Sequence, residues 1–163
     1  MYMDNIKIIA FSAHIDSVED TLNQINSIKQ DGEIIQLVNA DSIVSKNQLI
    51  HGVNQALLAF ERGENLAKDI SVEIVLRCSA QRQISKAFDM LGLKEGNMNL
   101  YAVLINSRDY TEDLSLLFKL HDGDFIPDEK TLIDLYDITN SELQNMSLEE
   151  IIIDRITKLT VDY

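Results

Sequence analysis

The chain has 163 residues and a formal net charge of −13, with 45% hydrophobic and 25% charged residues, one proline, one cysteine and no tryptophan. That size and balance predict a single globular domain over residues 1–163, and they exclude a proline-rich ligand, an internal disulfide and broad electrostatic attraction to nucleic acid. No apolar run approaches the roughly 20 residues of a membrane span, and the opening MYMDNIK lacks the basic start of a secretory signal, so the expected setting is cytoplasmic and reducing.

In chain order, IKIIAF from Ile6 to Phe11 is a short apolar run that suits a buried strand. Asp16 or Ser17 offers an N-cap for a helix with Val18, Leu22, Ile25 and Ile28 at helical spacing, ended by Asp31-Gly32. Glu33 to Val38, EIIQLV, reads as a second strand. Ser45 and Gln48 have capping-box spacing at the start of a helix whose apolar stripe is Leu49, Ile50, Val53, Ala56, Leu57 and Phe60. Arg62-Gly63 closes that helix, and His51, Asn54 and Gln55 share its polar side.

After the loop-like stretch Gly63–Asp69, the run Glu73–Cys78 reads as a third strand. Ile74, Leu76 and Cys78 then fall on one face, with Glu73, Val75 and Arg77 on the other. Ser79 is the expected cap of a following helix that buries Ile84, Ala87, Phe88 and Leu91, with Gly92 as its left-handed end. Arg82, Lys86 and Asp89 face outward on this reading. Asn99–Ile105 is the fourth strand. A helix with Tyr110, Leu114, Leu117 and Phe118 follows Ser107, and His121-Asp122-Gly123-Asp124 breaks it. Pro127 precedes a short helix with Leu132, Ile133 and Tyr136. The box Ser147–Glu150 starts a C-terminal helix with Leu148, Ile151, Ile152, Ile156 and Leu159 along one side. The expected fold is mixed α/β: one sheet of about four strands, of undetermined order and direction, packed with helices and followed by a helical C-terminal third.

No signature of chemistry stands out. The three histidines are scattered, there is no CxxC, HExxH, P-loop or GxSxG, and no metal or cofactor is expected. Cys78 reads as a small buried hydrophobe. What remains is the entry to the central helix. Between Arg62 and Lys94 six basic residues face four acidic ones, a local balance of +2 that leaves −15 for the rest of the chain. The unpaired N–H groups and positive dipole at a helix start attract phosphate or carboxylate, and arginine matches phosphate oxygens with a two-pronged fork. A small anion site there and a simple pairing of Arg82 with a neighbouring carboxylate both fit the residues.

The segment from Gln36 to Ile105 resembles the small non-catalytic subunit of the KEOPS (EKC) complex. LVNAD ending at Asp41, HGVNQA at His51–Ala56 and EIVLRCSAQRQISKAFDMLGLKEG at Glu73–Gly96 carry the likeness. Glu73, Arg77, Arg82, Gln83, Ile84, Ala87 and Gly92 fit the family's central pattern, and Ala80 stands where glycine is usual. The resemblance implies no catalysis by this chain. It implies binding and stimulation of the kinase-like ATPase subunit, indirect association with other KEOPS subunits, and recruitment of tRNA, including its 3′ CCA end, for threonylcarbamoyl modification of adenosine. With the local charge it points to Arg77, Arg82, Gln83 and Lys86 as tRNA contacts, with Lys68 and Lys94 outside them. Three consecutive isoleucines cannot all share one buried stripe, so Ile153, beside Ile152 and Leu148, is the expected partner surface. A regulatory domain binding a small anionic molecule at the same helix start is the alternative.

Overall fold

A computed structural model describes residues 5–161. Those residues form two compact units, one built from the segment up to Ala40 together with Gly92–Phe125, the other from Asp41–Leu91 together with the segment from Ile126 onward.

The first unit is a four-stranded antiparallel sheet with two helices. Its strands are β1 (Ile6–Ile15), β2 (Ile34–Asn39), β3 (Gly96–Ile105) and β4 (Lys119–Leu120), in the order β2-β3-β1-β4. The long β1–β3 pairing runs from Ile6 opposite Ile105 to Ile15 opposite Gly96, and β2 adds to the other edge of β3 with Ile34 opposite Ile105. Alternation decides which face is buried. Ile9, Phe11 and Ile15 of β1, Ile35 and Leu37 of β2, and Leu100, Ala102 and Leu104 of β3 join one apolar cluster. Ile25 from α1 (Val18–Ile28), Leu114 from α5 (Thr111–Ser115), and Tyr110 and Phe118 on either side of α5 complete it. Ser17 caps α1, accepting from the Asp20 N–H, as its spacing predicts.

The second unit is helical: α2 (Lys46–Arg62), α3 (Ile70–Cys78), α4 (Ile84–Leu91), α6 (Glu129–Leu135), α7 (Asn140–Leu143) and α8 (Leu148–Val161). Ser45 caps α2, and Gly63 ends it at φ 70° with its N–H on the Ala59 and Phe60 carbonyls. The Ser147–Glu150 capping box forms, at 2.9 and 3.2 Å.

The mixed α/β class with one four-stranded sheet stands, but the third expected strand does not. Glu73–Cys78 lies within helix α3, because Asp69 caps the segment by accepting the Ser71 N–H, and Glu73 and Arg77, one helical turn apart, pair through their side chains. The fourth strand is instead the two-residue β4, beside Phe11 and Ser12 of β1. Ser79 therefore ends a helix rather than starting one, its hydroxyl donating to the Val75 and Leu76 carbonyls. The left-handed glycine near there is Gly96, at φ 97°, not Gly92. Gln48 reaches back to the Val44 N–H at 2.8 Å rather than to Ser45, and the helix after Ser107 is shorter than expected.

Candidate functional site

The stretch Glu73–Gly96 starts as buried scaffold and ends as exposed surface. In α3 every residue from Glu73 to Cys78 is buried. Glu73 and Arg77 are both fully enclosed, with Arg77 Nε 2.8 Å from Glu73 Oε2. Their remaining capacity is used locally. Glu73 Oε1 accepts the Ala67 N–H at 2.7 Å, while Arg77 donates to Thr160 Oγ1 at 2.7 Å and to the Glu64 carbonyl at 3.4 Å. The pair thus ties the 64–67 loop and α8 to α3. Arg77 does not reach the surface, so the expectation that it touches tRNA is corrected: its guanidinium is consumed inside the fold.

A second buried network holds the far ends of these helices. Gln48 of α2, fully buried, donates to the Cys78 carbonyl and to the Tyr136 hydroxyl, both at 2.8 Å. Tyr136 donates on to the Ser42 carbonyl at 2.7 Å, and the Ser42 hydroxyl to the Met90 carbonyl at 2.5 Å. Each polar group of this network has a partner within it, so it fixes α2, α3, α4 and α6 rather than offering a ligand site. Burial pushes the Cys78 thiol up to about 12, which keeps it protonated and unreactive near neutrality.

Beyond α3 the chain turns through Ala80, which takes a left-handed φ of 55° where the related pattern has glycine. Residues 82–86 then emerge together, all exposed. Arg82 Nη2 donates to the Leu159 carbonyl at 2.8 Å, in the last turn of α8, where a cation meets the negative end of the helix dipole. Gln83 and Lys86 sit in the same turn of chain as Arg82. Lys68 is exposed just before the Asp69 cap, and Lys94 is exposed in the sheet unit.

The apolar side of α4 departs from expectation. Ala87, Met90 and Leu91 are buried, whereas Ile84 is 51% and Phe88 37% exposed. At about 100° per residue the apolar residues of α4 cover an arc of about 160°, from Met90 through Leu91 to Phe88. The fold covers only the part between Met90 and Leu91. The same arithmetic puts Lys86 about 160° away from both Ile84 and Phe88. Periodicity assigned Ile84 and Phe88 to the core; five apolar residues among eight, too wide an arc for one contact face, was the available sign that some stay outside.

On α8, Leu148 and Ile152 are buried and only Ile153 is partly exposed. Two of the three residues expected to meet a partner are therefore core, because the α8 stripe takes in Leu148, Ile151, Ile152, Ile156 and Leu159. His51 on α2 shares a 2.7 Å hydrogen bond with Thr157 of α8, and burial lowers its pKa. In the sheet unit a cleft of about 320 Å³ is bordered by His14, Asp16, Ser17, Asp20 and Gln24, a carboxylate-bearing wall unsuited to an anion. Among the described residues no group of three or more His, Cys, Asp or Glu side chains is placed to hold a metal, and no helix is long and apolar enough to cross a membrane.

Comparison with known proteins adds two findings. The family model described as kinase binding protein CGI-121 matches residues 13–158. A protein of Methanocaldococcus jannaschii named regulatory protein Cgi121 is 37% identical over 75 residues, covering 46% of this chain and 49% of that protein. The matched stretch thus spans about half the length of this curated relative.

Proposed function

The chain belongs to the CGI-121 family of kinase binding proteins, and we propose that it is a non-catalytic accessory subunit that binds and stimulates the kinase-like ATPase of a KEOPS complex and helps bring tRNA to it for threonylcarbamoyl modification. The observation that carries this reading is the extent of the family match, residues 13–158, which takes in strands of the sheet unit and helices α2 to α8. The likeness of Gln36–Ile105 to the small KEOPS subunit supplies the tRNA and the wider assembly.

With Arg77 internal, the proposed tRNA contacts of the helical unit are Arg82, Gln83 and Lys86, with Lys68 as an outer contributor; all four are exposed. Local cations position an RNA backbone even in an acidic protein, since phosphate contacts act within about 10 Å at moderate salt. Mixing the full chain with its kinase-like ATPase tests the regulatory half: a stable complex with faster ATP hydrolysis is expected, and no complex at micromolar concentrations overturns it. For the tRNA half, Lys86→Glu is the informative variant, because Arg82 also holds the end of α8. It should lower tRNA affinity and flatten its salt dependence; unchanged affinity at fixed salt removes Lys86 from the contact set.

A further inference from the structure

In the sheet unit α1 outruns the helix beside it. With 11 residues it is about 16 Å long, whereas α5, with 5, covers only about 8 Å. The flank of α1 left open is followed by two clefts, both wholly within the sheet unit. The cleft of about 320 Å³ takes in Asp16 and Asp20, and a second, of about 260 Å³, takes in Ser27, Ile28, Asp113 and Leu116. Gln24 and Leu117 border both, so the two are halves of one trench. Asp20, Gln24 and Ser27 fall within about 60° of one another around α1, and Leu22 is about 160° from Gln24, on the other flank.

The two halves differ in chemistry. At the start of α1 the wall carries the Asp16 and Asp20 carboxylates. Toward its end the trench is apolar: Ile28 and Leu117, partly buried, pack down onto the sheet core, and Leu116 stands at the lip 88% exposed. Asp113 adds a carboxylate there. No lysine or arginine borders either half, and His14, the one basic group that does, is already 3.2 Å from Asp16. Lys119 pairs opposite Ser12, which turns it to the sheet face away from Phe11 and Phe118. The walls are firm, since Ile25, Leu114 and Phe118 belong to the core and Ser17 caps α1, so filling the trench orders little of the protein.

These features select the occupant. Carboxylates along the trench itself repel RNA and other phosphate-bearing ligands. From Asp20 to Ile28 is about 12 Å along the helix axis, a span that about four residues of extended chain cover. We propose that the trench docks an extended segment of a partner protein in which a basic side chain and a large apolar one stand about four residues apart, the cation meeting Asp20 and the apolar side chain seated against Ile28, Leu116 and Leu117. This is a protein contact on the sheet unit, whereas the proposed tRNA contacts are on the helical unit, and it does not depend on the KEOPS reading.

The test screens the immobilised full chain against phage-displayed random peptides of about twelve residues, long enough to cross the trench in either direction. Enriched peptides are synthesised and titrated calorimetrically against wild type, Asp20→Lys, Leu116→Ser and the control Leu22→Ser, at a residue 41% exposed on the other flank of α1. Thermal unfolding of each variant is recorded first; if the reversed charge in the first turn unfolds α1, Asp20→Asn takes its place. The enriched peptides are expected to share a lysine or arginine and a large apolar residue about four positions apart, in either order. Asp20→Lys and Leu116→Ser should each weaken binding about tenfold, Asp20→Lys should also flatten its salt dependence, and Leu22→Ser should change nothing. Failure to enrich any peptide, enrichment of peptides without a basic residue, or affinity that the folded Asp20 and Leu116 variants retain in full overturns the assignment. Self-association of the wild type that Leu116→Ser abolishes makes the trench a contact between copies of the chain and overturns it as well.

Discussion

Arg77 shows how one residue's meaning depends on the element that carries it. On a strand its side chain would lie opposite Leu76 and Cys78 and be available at the sheet surface; on a helix it folds back one turn onto Glu73 and disappears from solvent. A buried pair of this kind specifies the packing of the loop and helix it touches, and breaking it is costly because the remaining charge has no water. Arg77→Met removes the cation and leaves the Glu73 carboxylate buried against the Ala67 N–H alone. The expected loss is about 4 kcal/mol of unfolding free energy, read from urea denaturation. A loss below about 1 kcal/mol, the scale of an exposed pair, contradicts the structural role assigned here. Any fall in tRNA affinity for this variant should track its unfolded fraction, unlike the fall expected for Lys86→Glu.

The packing of α2 on α3 turns on Gly52. A Cβ there meets the Cys78 sulfur at 2.5 Å and the Cys78 Cα at 2.8 Å, so the two helices approach as closely as backbone allows. Gly52→Ala is therefore expected to destabilise by about 2 kcal/mol despite alanine's better helix propensity, which works in the opposite direction by about 1 kcal/mol. Adding Cys78→Ala relieves the sulfur contact but not the backbone one, so the double variant recovers only part of the loss; full recovery in chemical denaturation contradicts the backbone approach. The same helix pair marks the limit of what the sequence revealed. β1, β2 and β3 were legible as short apolar runs rich in strand-forming residues, and α1, α2 and α8 through capped helical periodicity. The run EIVLRC was not, since its residues are buried on all sides and a short apolar run has no period to read. The Asp69 cap and the Glu73–Arg77 spacing were the overlooked signals. β4 was illegible for a different reason: two exposed residues carry no pattern. In the candidate site the exposed cations were legible from charge, while the exposure of Ile84 and Phe88 was hidden because a helical apolar residue reads as core until its neighbours are known.

At the scale of the molecule, an acidic chain must keep its carboxylates apart yet uses several of them as fasteners. Glu33, at the entry to β2, accepts from the Tyr110 hydroxyl and the Gln30 N–H through Oε1, and from the Arg108 N–H at 2.9 Å through Oε2. The Tyr110 hydrogen bond first, then the backbone N–H groups of Arg108 and Gln30, hold its pKa at about 2 against an ordinary 4.5. Lys7 and Thr111 hold Asp109 low, the Thr139 N–H and Arg155 lower Glu142, and the Ser147 N–H and hydroxyl lower Glu150. A carboxylate whose folded pKa lies below its unfolded one stabilises the fold fully above the unfolded value, and that contribution fades as pH falls toward the folded one. For Glu33 the window runs from about 4.5 down to about 2. Above it, partial protonation of other carboxylates relieves the −13 self-repulsion, so stability is expected to hold from neutrality to about pH 5. Below pH 4.5 the melting temperature should drop steeply. Glu33→Gln should melt lower than wild type at pH 7, and the gap between the two should close as pH falls through the window, because the wild type is then losing what the variant never had. Parallel melting curves for the two proteins from pH 5 to about 2 contradict the role given to Glu33.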